Sequence, residues 1–298
     1  MEPACRALNI AIQPWFKDHC FNGKVILPAV EIMEILASAA REIRPDISPM
    51  VMNEARFSKF LEIPHEAAEL SAQIEYATRD KDAFCIKLLS RIHLKKISRS
   101  REHAEIAFAP GAQGVTQERI IAPPPPPQSA VSLEAEHIYK ELVPFGPAYR
   151  TLRGPLSLAR EGAWGSLQTQ DPYGGEDLKK TLGSPFPLDG AMHAACVLGQ
   201  CLADFVPFPV GFSQRIIYQA TKAGERYSTT VIPLFQTADE LVFDLAIFDS
   251  RGTTCETVTG LRMRDISDGS ITPPEWIRKL LRNEGEKNSD GAGGIRLA

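Results

Sequence analysis

Five consecutive prolines, Pro123 to Pro127, constrain this chain more than any other feature. A pentaproline has no backbone N–H to give a sheet ladder and favours extended polyproline II, so no helix or central strand continues through it. It reads as a semi-rigid spacer between about 122 residues on one side and about 170 on the other. A chain of 298 residues fits two units of ordinary size, each large enough to bury a core.

Both sides have the same layout. Ahead of the prolines, a loop over 14–27 leads into a helix over 28–44, with Pro28 suited to its first position. Glu31, Glu34, Ser38 and Arg41 recur at helical spacing among apolar residues, which predicts a buried helix with one narrow polar stripe. Strand-like segments follow near 51–60, 69–78, 83–93 and 103–108. Beyond the prolines, Pro185 to Leu188 leads into a second apolar helix over 189–205, with His193, Gln200 and Asp204 as its polar stripe. Strands are then expected near 215–220, 225–234, 240–249 and 253–264. One buried helix followed by antiparallel strands, twice, is an α+β arrangement in which a sheet wraps a helix. The segment 274–282 suits a short helix. Residues 284–298 are polar and Gly-rich, a tail or linker remnant.

Charge narrows the partners. With 33 Lys+Arg against 37 Asp+Glu the net charge is −4, which argues against nucleic-acid binding driven by bulk positive charge. No apolar run approaches the roughly 20 residues of a membrane span, and the first 15 residues do not read as a signal peptide. The six cysteines form no CxxC pair, so reduced thiols in a cytoplasmic setting, and no zinc site, are expected. The one basic run, from Lys87 to Arg101, includes Arg91, Lys95, Lys96 and Arg99 with no acidic residue between. It suits either a solvated hairpin edge or an electrostatic landing site for an acidic partner.

Two short segments can carry chemistry. His19, Gly23 and Pro28 form an HxxxGxxxxP pattern. A histidine just ahead of a buried helix lies near unbonded N–H groups, and its neutral imidazole can take a proton at working pH. Gly23 permits positive φ or close backbone approach. In the second segment, Asp189 and His193 are four residues apart and share one helix face. Asp189 reads equally as a plain N-cap. The apolar helix around it favours the protonated acid, and the helix N-terminus favours the carboxylate.

HxxxGxxxxP in one half and LDxxxH in the other resemble the dehydratase domains of polyketide synthases. Other segments agree in the same order. Phe145-Gly146-Pro147 leading to Tyr149 looks like the family's YGPxF, and Val206 to Phe212 is similar to its LPVGF-like strand entry. Asp249 to Gly252 and Thr259 to Arg264 resemble its closing strand pair. The resemblance spans about 8–266 and implies a double hotdog: an N-terminal half over 1–122, the proline linker at 123–128, a C-terminal half over 129–270, and a short helix and tail over 271–298. It further implies removal of water from a 3-hydroxyacyl thioester on the phosphopantetheine of an acyl carrier protein, with other synthase domains nearby and homodimers in solution.

In that scheme His19 is the base, Asp189 the acid, and His193 orients or shares a proton with the carboxylate. Backbone N–H groups near Gly23 and Pro28, with Phe145, Gly146 and Pro147, would receive the substrate, and no metal or redox cofactor is required. The sequence departs from the family at Phe145, where a tyrosine is usual, at Ala29 after Pro28, and at Ser184 before Pro185. Double-bond isomerisation, product-template-like or oxa-cyclisation, and a non-catalytic carrier-binding module are the alternatives on the same fold. The retained Asp189 argues against the isomerase branch.

Overall fold

The structure is a computed structural model that describes residues 3–79, 83–94, 97–110, 125–168 and 180–281. The first half contains β1 (Ala4–Ala11), a 3-10 turn at Pro14–Asp18, β2 (Cys20–Phe21), β3 (Lys24–Val25), α1 (Ala29–Ile43), β4 (Ile47–Phe57), β5 (Glu69–Thr78), β6 (Phe84–Leu94) and β7 (Ile97–Pro110). The second contains β8 (Val131–Glu134), α2 (Ala135–Glu141), a 3-10 turn at Pro147–Tyr149, β9 (Leu152–Ala159), β10 (Gly162–Gln168), α3 (Phe186–Leu202), β11 (Phe208–Ile217), β12 (Arg226–Gln236), β13 (Glu240–Phe248), β14 (Thr254–Arg264) and α4 (Glu275–Leu280).

Twelve strands make one sheet in the order β1-β5-β6-β7-β4-β11-β14-β13-β12-β10-β9-β8, and β2 and β3 form a separate hairpin. The pairings are antiparallel throughout. The halves therefore share a continuous sheet rather than touching as two separate ones. Their seam is β4 against β11, with Phe212 opposite Ala55 and Arg215 opposite Met52. At the seam Gly211 takes φ +152°, and a Cβ there would sit 2.2 Å from the Ala55 carbonyl oxygen. Only glycine lets the strands meet at that point.

Each half is built around its helix. Along β13, Leu241, Phe243, Leu245 and Ile247 are buried in alternation, the period-2 pattern of a sheet with one face on the core. Helix α1 buries Met33, Leu36, Ala37 and Ala40 while Arg41 is exposed. Helix α3 is buried nearly all round, as a helix enclosed by sheet must be. Under the seam, Arg215 of β11 reaches Glu256 of β14 with 2.7 and 3.2 Å hydrogen bonds and touches the Met33 sulfur of α1 at 3.5 Å.

Several boundaries differ from expectation. Helix α3 starts at Phe186, three residues before Asp189, because Pro187 falls in its first turn, where a missing N–H costs nothing. It ends at Leu202, leaving Asp204 outside. Helix α1 starts at Ala29, with Pro28 as its cap. Strands β4, β7 and β11 begin earlier than the sequence suggests, and β1, α2 and β8–β10 are elements it did not reveal. Of the pentaproline, Pro125 to Pro127 are described; Pro125 and Pro126 line a shallow groove with Trp164, Ser157 and Thr230 on the second half of the sheet. The tail over 284–298 lies outside the described residues. Among the described residues no helix is long and apolar enough to cross a membrane.

Candidate active site

The base end of the site is a small hairpin. Asn22 and Gly23 both take positive φ, 49° and 75°, the two-residue turn that joins closely paired strands. Gly23 thus sits at an exposed tip, with nothing within 4 Å of where a Cβ would be. Its role here is turn geometry, not close approach to a ligand. The hairpin continues inward: the Ile26 N–H donates to the His19 carbonyl at 3.0 Å. In return His19 Nδ1 lies 3.0 Å from the Ile26 carbonyl oxygen. A carbonyl only accepts, so Nδ1 carries the proton and Nε2 keeps the lone pair. Burial pushes the His19 pKa below its ordinary 6.5, against an upward pull from Asp189 and a bond to Ile26, and with a smaller downward push from His193. The imidazole is held as a neutral base.

The acid end is the first turns of α3. The Asp189 N–H donates to the Pro185 carbonyl at 3.2 Å, inside the helix, and Pro185 is the cap, so the plain N-cap reading of Asp189 falls. Its carboxylate instead meets His193, with Oδ2 and Nε2 3.0 Å apart and the side chains 8% and 6% exposed. The ring nitrogen is poorly aimed along that line. Among the described residues neither atom has a hydrogen-bond partner. A buried donor and acceptor left open side by side are costly to the free protein and ready for a small polar ligand group.

What joins the two ends is the loop before the second 3-10 turn. The Phe145 ring stacks on His19 with centroids 4.3 Å apart and planes at 19°, and lies 5.2 Å from the His193 ring. Tyr149, fully buried, meets the edge of His19 at 5.2 Å. The loop is fastened to the first half by Asp18: its backbone carbonyl accepts the Gly146 N–H at 2.7 Å and its Oδ2 accepts the Ala148 N–H at 2.8 Å. A Cβ on Gly146 would lie 2.6 Å from Asp18 Cγ, so glycine is required for the joint. The Gly146 N–H is thereby committed, and Pro147 has none. These two residues serve the joint and are not free oxyanion donors. Nearer the base, Pro28 caps α1, whose first N–H groups, at Ala29 and Val30, have no acceptor within the helix.

The sequence missed the contacts of four contributors. Asp18 is the joint. Tyr139 of α2 lies against His193, its hydroxyl 3.3 Å from Nδ1. Glu31 and Glu34 on the α1 stripe bind the second half: Glu31 meets Lys180, and Glu34 takes the N–H groups of Thr181 and Leu182. None has a local motif, because each contact joins residues far apart in the chain. Of the basic run, Arg91 and Arg99 are exposed on the paired strands β6 and β7, while Lys87 is ion-paired with Glu102 at 3.0 Å. Lys95 and Lys96 lie outside the described residues.

Known proteins agree with this architecture. Residues 6–91 match the family described as polyketide synthase dehydratase domain, and residues 122–272 match polyketide synthase dehydratase N-terminal domain. The chain is 23% identical over 279 residues to polyketide synthase GfsA of Streptomyces halstedii, covering 92% of this chain and 4% of that protein. It is 23% identical over 272 residues to polyketide synthase ThaG of Burkholderia thailandensis, covering 85% of this chain and again 4% of the relative. The chain thus spans a small fraction of each relative's length. Among solved structures, the dehydratase domain from the CurF module of curacin polyketide synthase superposes with TM-score 0.69 at 17% identity, covering 88% of this chain and 93% of that one. The bifunctional dehydratase-cyclase domain in ambruticin biosynthesis gives 0.66 at 18% identity, with 88% and 91% covered. The fold is the double hotdog of these domains. With both halves matched and the site residues assembled between them, this chain belongs to the polyketide synthase dehydratase domain family.

Proposed function

We propose that this chain removes water from a 3-hydroxyacyl thioester, carried on the phosphopantetheine of an acyl carrier protein, to give the 2,3-enoyl thioester. The Asp189 carboxyl and His193 Nε2, buried side by side 3.0 Å apart with no hydrogen-bond partner among the described residues, carry this reading, because a departing hydroxyl needs a proton donor and a second group to hold its oxygen. His19 Nε2 takes the α-proton. The C–H electron pair becomes the new double bond as the C–O bond breaks, and the departing hydroxyl leaves as water with a proton from Asp189. His193 holds the departing oxygen, and the first N–H groups of α1, which have no acceptor within the helix, would polarise the thioester carbonyl. The step balances without a redox group or a metal.

The reading is tested by incubating the chain with 3-hydroxyacyl-pantetheine thioesters and following loss of one water by mass spectrometry. His19→Ala and Asp189→Asn should each lower turnover about a hundredfold or more while the fold persists. No turnover with any acyl chain would favour a carrier-binding module, and rearrangement of an offered 2,3-enoyl thioester without change of mass would favour an isomerase or cyclase. For the carrier we propose the basic run that holds Arg91, Lys95, Lys96 and Arg99 as the landing surface, with Arg91 and Arg99 exposed. Turnover of carrier-bound substrate should then fall with salt while that of small thioesters does not.

A further inference from the structure

The Tyr139 hydroxyl has two neighbours with different demands. The Leu152 N–H donates to it at 2.8 Å, which occupies one lone pair and leaves the hydroxyl proton to be placed. His193 Nδ1 lies 3.3 Å away, on a ring 5.8 Å from the tyrosine ring and nearly perpendicular to it. Both side chains are buried, so water does not compete for these atoms. Burial also keeps the phenol protonated, well above its ordinary range. The Thr151 hydroxyl is close by and buried, and is the other acceptor this proton could find.

We infer that Tyr139 is a positioning residue whose hydroxyl donates to His193 Nδ1 and thereby fixes the neutral His193 tautomer with its proton on Nε2. A main-chain amide at Leu152 orients the tyrosine, the tyrosine sets the imidazole, and the imidazole presents a donor beside Asp189 Oδ2. Without the hydroxyl, Nδ1 can carry the proton and Nε2 becomes an acceptor beside the Asp189 carboxyl. That arrangement draws the Asp189 proton onto the imidazole and offers nothing to a departing hydroxyl oxygen. Helix α2 has only seven residues, and Tyr139 is the side chain by which it meets His193. The inference deepens the dehydratase reading, but its central claim concerns a proton on a ring and can be read without substrate.

The decisive experiment is long-range 1H–15N correlation on the full chain labelled at histidine nitrogen, with His193→Gln used to assign the signal. Wild type should show His193 as the Nε2–H tautomer, and Tyr139→Phe should shift it to the other tautomer or to a mixture. A wild-type Nδ1–H tautomer, or a Tyr139→Phe spectrum unchanged at His193, overturns the inference. Kinetics give a second arm. Tyr139→Phe should lower kcat about tenfold with KM little changed. In a His193→Gln background, whose amide has a donor but no tautomer, the same change should cost less than twofold in kcat, on the order of noise. Equal losses in both backgrounds would mean that Tyr139 does not act through His193. If wild type turns over no thioester, the dehydratase reading fails while the spectra still decide the tautomer.

Discussion

Phe145 stacks face to face on His19, 4.3 Å between ring centroids, and so covers the base with an apolar ring that comes from the other half of the chain. Where the family pattern leads one to expect a tyrosine, this chain has the stacking surface without the hydroxyl. Burial is the largest cause of the lowered His19 pKa, so its cover should tune the pH at which the base works. Below its depressed pKa the imidazole is protonated and cannot accept the α-proton, so the acid limb of kcat/KM should lie under pH 6.5. Phe145→Ala admits water and should move that limb upward, while Phe145→Tyr keeps the stack and should leave it in place. A limb that stays put in Phe145→Ala would show that other groups bury the ring.

Asp18 fastens the Phe145 loop to the His19 loop through two backbone N–H groups, one taken by its carbonyl and one by its carboxylate. Asp18→Ala removes the second and leaves the Ala148 N–H without its partner. The expected loss is about 1–3 kcal/mol of stability, with a fall in kcat because base and acid sit on opposite sides of the joint. Asp18→Asn keeps an acceptor oxygen and should recover most of both. Urea denaturation beside turnover measures each. Equal damage from Ala and Asn would mean that the charge, and not the accepted bond, is what matters.

Which parts of this were legible in the sequence follows from distance along the chain. His19, Asp189 and His193 were visible because each falls in a short local pattern, His19 ahead of one apolar helix and the other two on a second. The Asn22-Gly23 turn was visible as a flexible glycine, but its outward aim was not, since direction depends on the hairpin's partner segment. Tyr139 and Asp18 were hidden because their partners lie 54 and 130 residues away. Strand β1 was hidden for another reason: it is exposed along most of its length and shows no period-2 alternation. Strand β10 carries Gly162 and Gly165, both closely approached by neighbours, and glycines weaken any strand signal. The start of α3 was misplaced because Pro185-Phe186-Pro187 reads as an extended approach, whereas prolines also suit a helix's first turn.

Close packing of α3 on β9 and β10 rests on another glycine. A Cβ on Gly190, next to Asp189, would lie 2.3 Å from Thr151 Oγ1 and 2.9 Å from Leu167 Cδ2. Gly190→Ala should therefore push the acid-bearing turn away from the sheet. About 1–3 kcal/mol of destabilisation is expected, with kcat reduced more than KM is raised. Thermal unfolding and steady-state kinetics on the one variant test both. A variant as stable and active as wild type would mean that Thr151 yields without moving the helix.

Lys180 and Glu31 tie the segment before α3 to α1 across the halves. Lys180 Nζ lies 3.2 Å from each Glu31 oxygen and 5.5 Å from the centre of the Trp15 ring, whose N–H also donates to Glu31 at 3.0 Å. Burial holds the Glu31 pKa above its ordinary 4.5, with Lys180 and then Trp15 pulling the other way. Between pH 4.5 and that raised value the folded chain keeps a proton that the unfolded chain has lost, so Glu31 withdraws stability as pH climbs. Lys180→Met removes the strongest opposing pull and leaves a buried carboxylate with only Trp15. Above the raised wild-type value, where the pair is charged, the variant should lose about 3 kcal/mol. At about pH 4 the carboxyl is protonated in the variant, and the deficit should shrink to the lost packing of the lysine stem. Urea denaturation at both pH values reads the difference directly, and an equal deficit at each would show that Lys180 contributes contact area and not charge.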